Sequence, residues 1–135
     1  MRNVIVWGAA GGIGRAFVEA VADTSDAVVA VARDASALRA VTPYVIDADL
    51  VDPVAVARAM ETASSVAETF DLAVVAVGDI ASARVIDMDM PTWRRLVENN
   101  LTAAFLTMQA TTPHLAPGAT LVVIGAVHER LRLPG

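Results

Sequence analysis

The chain alternates short apolar runs with stretches of helical periodicity. Asn3 to Trp7 is an apolar run that ends in a glycine cluster. From Ile13 the apolar positions fall at 13, 17, 20 and 21, a helical spacing. Ala27 to Ala32 is a second run, followed by Arg33-Asp34, and Ser36 to Val41 suits a short helix. Tyr44 to Ile46 is a third run, closing on Asp47-Ala48-Asp49-Leu50. Asp52 is a good N-cap and Pro53 a good first helical residue, so a helix is expected from there to about Val66. Leu72 to Val77 is a fourth run before Gly78. Asp89 caps a further helix, expected to bury 97, 101, 104, 105 and 108 and to end at Pro113. Gly118 precedes a fifth run, Thr120 to Ile124.

Five strands alternating with helices predict a parallel sheet joined by right-handed crossovers, the doubly wound α/β class. The expected strand order is 3-2-1-4-5, in three α/β/α layers within a single domain spanning 1–135. No repeat, linker or low-complexity tract interrupts the pattern. Val127 to Gly135 reads as a loop where such a domain normally continues, so the fold is expected to be incomplete at its C-terminal end.

Composition narrows the chemistry. Hydrophobic residues make up 56% of the chain, which suits strands buried on both faces. No apolar run approaches the roughly 18 residues that span a bilayer. Val4-Ile5-Val6-Trp7 meets Gly8 too soon to build a signal sequence, so a cytoplasmic location is expected. The net charge of −5 and scattered basic residues argue against nucleic acid as a partner. The absence of cysteine excludes disulfides, Cys-ligated zinc and thiol catalysis, and no metal is expected. All ten basic residues are Arg, so no lysine in this chain can serve a mechanism.

The glycine turn carries the first functional signal. Gly8-Ala9-Ala10-Gly11-Gly12-Ile13-Gly14 joins the first strand to the first helix. Glycine permits a sharp turn and a close approach by pyrophosphate, and the helix N-terminus offers free N–H groups and a positive dipole end. Gly8, Ala10, Gly11, Gly12, Ile13 and Gly14 are therefore candidate dinucleotide contacts; a tight turn without a ligand is the plainer alternative.

Gly8, Gly12 and Gly14 give G-x-x-x-G-x-G, which resembles the short-chain dehydrogenase/reductase family. Gly8, Gly11 and Gly14 give G-x-x-G-x-x-G, similar to extended or atypical relatives, some of them sensors. Trp7 stands where the family often has Thr and is expected to crowd the turn. The resemblance covers the whole chain and corresponds to the front half of a usual member, ending before the family's Tyr-x-x-x-Lys motif.

Later motifs carry the resemblance further. At the second strand's tip, where NAD-preferring members carry an acidic residue, this chain has Ala32 and then Arg33. A guanidinium pairs well with phosphate, so NADP(H) is expected over NAD(H); Arg33 paired with Asp34 on the surface is the alternative. Asp49-Leu50 is similar to the family's acidic-aliphatic pair at adenine. Val75-Ala76-Val77-Gly78 resembles the N-N-A-G element with both Asn positions apolar, leaving backbone contacts at Ala76 and Gly78. Trp93 to Leu101 looks like the helix whose Asn belongs to the catalytic tetrad, which places that role on Asn100 and leaves Asn99 an ordinary polar position.

The remaining tetrad residues do not match. Ala126 stands where the family's Ser would be, and Tyr44 is far from the expected place with Ala48, not Lys, four residues on. His128 and Glu129 are expected to be solvated surface, and Leu131 to Gly135 resembles the approach to the Tyr-bearing helix. The resemblance thus implies the NADP-binding portion of an oxidoreductase acting on an unidentified carbonyl or alcohol, inactive as this chain. The alternative is a nucleotide sensor or partner-binding pseudoenzyme. A homo-oligomer, or an aggregation-prone chain, is expected because the fifth strand would be an apolar edge.

Overall fold

The computed structural model describes residues 2–126. Strands β1 (Asn3–Trp7), β2 (Ala27–Ala32), β3 (Val45–Asp47), β4 (Phe70–Val75) and β5 (Leu115–Val123) form one sheet in the order β3-β2-β1-β4-β5. Every neighbouring pair is parallel, as the alternating pattern predicts. Residues Val4 to Trp7 and all six residues of β2 are buried. Covering both faces explains why these strands read as continuous apolar runs instead of alternating ones.

Side-chain alternation divides the core in two. Val4, Val6, Val28, Ala30 and Val74 pack on one face against Val18 of helix α1 (Gly12–Val21) and against Leu38. Leu38 belongs to a short 3-10 helix, Ser36–Ala40. Ile5, Trp7, Val29, Val31, Ala73 and Val75 face the other way. There they meet Val56, Ala59, Met60 and Ala63 of helix α2 (Pro53–Val66) and Ala103 of helix α4 (Ala103–Thr111). Asp52 caps α2 by accepting the Val54 N–H at 2.9 Å, and Pro53 opens it, as expected.

The long helix after Asp89 differs from its expected form. Asp89 does cap it, accepting the Thr92 N–H at 2.7 Å, and that N–H holds the Asp89 carboxyl below its ordinary value. The helix then runs as α3 (Met90–Val97), a π turn (Glu98–Thr102) and α4. Its fully buried residues are Ala103, Thr107 and Thr111; of the predicted face, Ala104 and Met108 pack against the core partly buried, whereas 101 and 105 do not. Leu101 is 68% exposed and Phe105 54% exposed. The π turn shifts the helical phase, and threonines are admitted inside because their hydroxyls bond backwards. Thr107 Oγ1 donates to the Ala103 carbonyl at 2.8 Å and Thr111 Oγ1 to that of Thr107 at 2.6 Å.

Strand β5 also starts earlier than expected. It includes Pro117 and Gly118, with a register shift opposite Phe70/Leu72 before regular pairing resumes at Leu72 with Thr120. Among the described residues β5 is the outermost strand on the β4 side of the sheet. Its last three residues, Leu121 to Val123, include neither proline nor charge.

Candidate functional site

The carboxyl ends of the central strands open into a cleft of about 610 Å³. In open α/β sheets ligands bind at such ends, where neighbouring crossovers diverge. The glycine turn forms one wall. Gly8 has a φ of +78°, and its N–H donates to the Val31 carbonyl at 2.9 Å. A Cβ on Gly8 would lie 2.5 Å from the Ala76 carbonyl oxygen, and one on Gly14 would lie 2.2 Å from that of Gly8. Packing therefore demands glycine at both positions, which the two motif spacings share.

Gly11 and Gly12 are different. A Cβ on Gly11 would meet only an ordinary contact at 3.5 Å, and one on Gly12 would meet nothing. Both are exposed, with Gly11 in the cleft wall. Helix α1 begins there: the Arg15 N–H donates to the Gly11 carbonyl at 2.8 Å, leaving the first-turn N–H groups at the open end. No acidic residue occupies that first turn to satisfy them, so the turn suits an anion. Trp7 does not crowd it. The indole is fully buried on the α2 and α4 side, where its N–H donates to Thr111 Oγ1 at 2.8 Å.

The cleft gathers most of the residues expected from the sequence. Gly8, Ala10, Gly11, Arg33, Asp49, Leu50, Ala76 and Gly78 all line it. Gly12 and Ile13 lie outside its lining, exposed on the first turn of α1, and Gly14 is buried beneath it. Ala32 ends β2 within the lining, and Arg33 follows it, exposed. The alternative pairing of Arg33 with Asp34 is not adopted. Asp34 Oδ1 instead accepts the Ser36 hydroxyl at 2.6 Å and N–H at 3.0 Å, bonds that hold its carboxyl below the usual range. Among the described residues Arg33 makes no ion pair.

Asn100 stands behind the cleft wall. Its Nδ2 donates to the carbonyls of Leu96 at 2.8 Å and Asp79 at 3.0 Å, and its Oδ1 accepts the Asp79 N–H at 3.1 Å. A Cβ on Gly78 would lie 3.2 Å from that Oδ1, so Gly78 lets the carboxamide close over the strand end. Asn100 sits within the π turn, Glu98–Thr102.

Four further polar side chains line the cleft beyond those expected as site residues: Asp34, Asp79, Arg95 and Asn99. Asn99, expected to be an ordinary polar position, is half-buried and donates through Nδ2 to Asp79 Oδ2 at 3.1 Å. Arg95 pairs with the same carboxylate. Arg95 and Asn99 lie one turn apart on the long helix and Asp79 follows β4, so the carboxylate comes from a separate segment that no local pattern links to them. Ala126 is exposed beyond the end of β5 and does not line the cleft. His128, Glu129 and Leu131 to Gly135 lie outside the described residues, as does any sequence-based expectation for them.

The fold is shared with solved structures. A short-chain dehydrogenase/reductase from Serratia marcescens superposes with a TM-score of 0.88 at 26% identity, over 99% of this chain and 59% of that one. A short-chain type dehydrogenase/reductase from Mycobacterium marinum gives 0.87 at 23% identity, over 98% and 59%. An NADH-dependent reductase, A1-R′, solved in complex with NAD, gives 0.84 at 16% identity, over 96% and 61%. The chain thus spans about 59% to 61% of the length of these proteins. Its sequence matches the family model for the short chain dehydrogenases over residues 2–135, and the chain belongs to that family.

Proposed function

We propose that this chain is the NADP-binding portion of an oxidoreductase that interconverts a carbonyl and an alcohol. The observation that carries the reading is the unpaired Arg33 beside a cleft whose β2 tip is Ala32 and not a carboxylate. A carboxylate there would accept the ribose hydroxyls of NAD and repel a phosphate. A guanidinium does the opposite, because its fork of donors fits phosphate oxygens. The bound dinucleotide would supply the hydride. The chain's own residues would hold it: Gly8, Ala10, Gly11, Gly12, Ile13 and Gly14 at the pyrophosphate, Asp49 and Leu50 at adenine, and the backbone of Ala76 and Gly78 along the strand end. Titration calorimetry with NADPH and NADH tests this reading, and equal affinities would remove Arg33 from the site.

The isolated chain is proposed to be catalytically silent. Asn100 holds the tetrad helix against the cleft wall, but Ala126 has no hydroxyl to polarise a carbonyl, and Tyr44 lies beside β3 in a chain without lysine. A nucleotide sensor or a partner-binding pseudoenzyme is the competing reading. It predicts nucleotide binding, or its absence, without turnover even when the chain is supplied with further sequence. Self-association is proposed as well, through the outer edge of β5 and the exposed Trp93, Leu101 and Phe105 of the α3–α4 helix.

A further inference from the structure

The cleft wall formed by α3 and the π turn carries a polar network centred on Asp79. The Asp79 carboxylate accepts the Ile80 N–H at 2.8 Å on Oδ1, and Asn99 Nδ2 and the Arg95 guanidinium on Oδ2. Its backbone is clamped on both sides by Asn100. Two consecutive asparagines reach one residue because both sit in the π turn, a feature that recurs where helices serve ligand sites. Asp79, Arg95 and Asn99 line the same cleft as Asp49, Leu50 and Val51.

The network decides how the Asn99 carboxamide is presented. A carboxylate only accepts hydrogen bonds, so Asn99 must turn its amino group to Asp79. Its Oδ1 is then the atom left over, and it has no hydrogen-bond partner among the described residues. The side chain thus offers the cleft an acceptor and is prevented from exchanging it for a donor. A flip would place Oδ1 against the Asp79 carboxylate, and Arg95 keeps that carboxylate in place.

We propose that Asn99 is a base-reading residue whose Oδ1 accepts a hydrogen bond from the exocyclic amino group of adenine, with Asp79 and Arg95 as the positioning residues that fix its orientation. The inference rests on the reading of this cleft as a dinucleotide site. A purine bearing a carbonyl in place of that amino group sets acceptor against acceptor, and the locked amide cannot turn to relieve it. An unmet polar contact of this kind lowers affinity on the order of tenfold.

The test compares NADPH with its hypoxanthine counterpart on the 135-residue chain, by titration calorimetry. The wild-type chain is expected to bind the adenine form on the order of tenfold more tightly. Asn99→Leu should bring the two affinities to within about twofold, mainly by weakening the adenine form. Asp79→Asn leaves Asn99 in place but frees its amide to turn, so it should narrow the ratio by improving the hypoxanthine form, a change that damage to the fold would not produce. Circular dichroism establishes that each variant is folded. An unchanged ratio in both variants overturns the inference, and so does an equal loss of both forms in Asn99→Leu, which would assign the side chain to a ribose hydroxyl. A wild-type chain that binds neither dinucleotide overturns the underlying reading of the cleft instead.

Discussion

The Trp7 indole N–H donates to the Thr111 hydroxyl at 2.8 Å, tying the last residue before the glycine turn to the last turn of α4. Both groups are buried, and the Thr111 hydroxyl in turn donates a hydrogen bond to the Thr107 carbonyl. The large indole fits because α4 presents Ala103, Thr107 and Thr111 to the core. Thr111→Val keeps the volume and removes the acceptor. It should cost about 1–3 kcal/mol, the penalty for a buried donor left unmet, with an unchanged denaturant slope. Urea unfolding followed by circular dichroism measures this; a midpoint equal to wild type would show that the bond contributes nothing.

The glycines of the turn should separate by role. Gly14→Ala drives a methyl group to 2.2 Å from the Gly8 carbonyl oxygen, against backbone that has no room to yield. It should destabilise the chain by about 1–3 kcal/mol and abolish nucleotide binding. Gly12→Ala meets nothing in the protein, so its melting temperature should match wild type or rise slightly, while nucleotide affinity falls. Full affinity in Gly12→Ala would place the dinucleotide away from the first turn of α1.

Arg33 is expected to set cofactor preference. NADPH should bind more tightly than NADH, and Arg33→Asp should narrow or invert the gap. Loss of one charge-assisted phosphate contact is worth about 1.5–3 kcal/mol, or roughly tenfold or more in affinity. Parallel titrations of both cofactors on both proteins give the answer. A preference that survives in Arg33→Asp would move phosphate recognition to another residue.

Carbonyl reduction by the 135-residue chain should not exceed background with NADPH and a panel of ketones. The measurement is NADPH oxidation followed by absorbance, with product detection. Turnover that disappears in His128→Ala would contradict the expectation and identify an improvised proton donor.

The 135-residue chain should self-associate in sedimentation at about tens of micromolar, because an unblocked edge strand and an exposed apolar helical face both recruit partners. Val123 is 47% exposed on the edge strand, and Phe105 stands on the exposed helical face. Val123→Lys should weaken association if the edge dominates, and Phe105→Glu should do so if the helix does. A stable wild-type monomer would refute both.

The apolar runs determined the sheet. Continuous burial of β1 and β2 leaves a distinctive signature, and right-handed crossovers allow few strand orders, so the order β3-β2-β1-β4-β5 is legible in the sequence. The caps at Asp52 and Asp89 and the glycine turn were equally legible, because each is a local bond or a local steric demand. What tertiary structure alone decided is of another kind. The buried stripe of α4 follows from a change of helical phase at the π turn and from threonines that satisfy themselves on their own backbone. The direction of the Trp7 side chain follows from the pleat of β1 and the space left by small residues on α4. The meeting of Asp79 with Arg95 and Asn99 depends on how β4 and the long helix are placed side by side, a relation between distant segments that no residue's immediate neighbours encode.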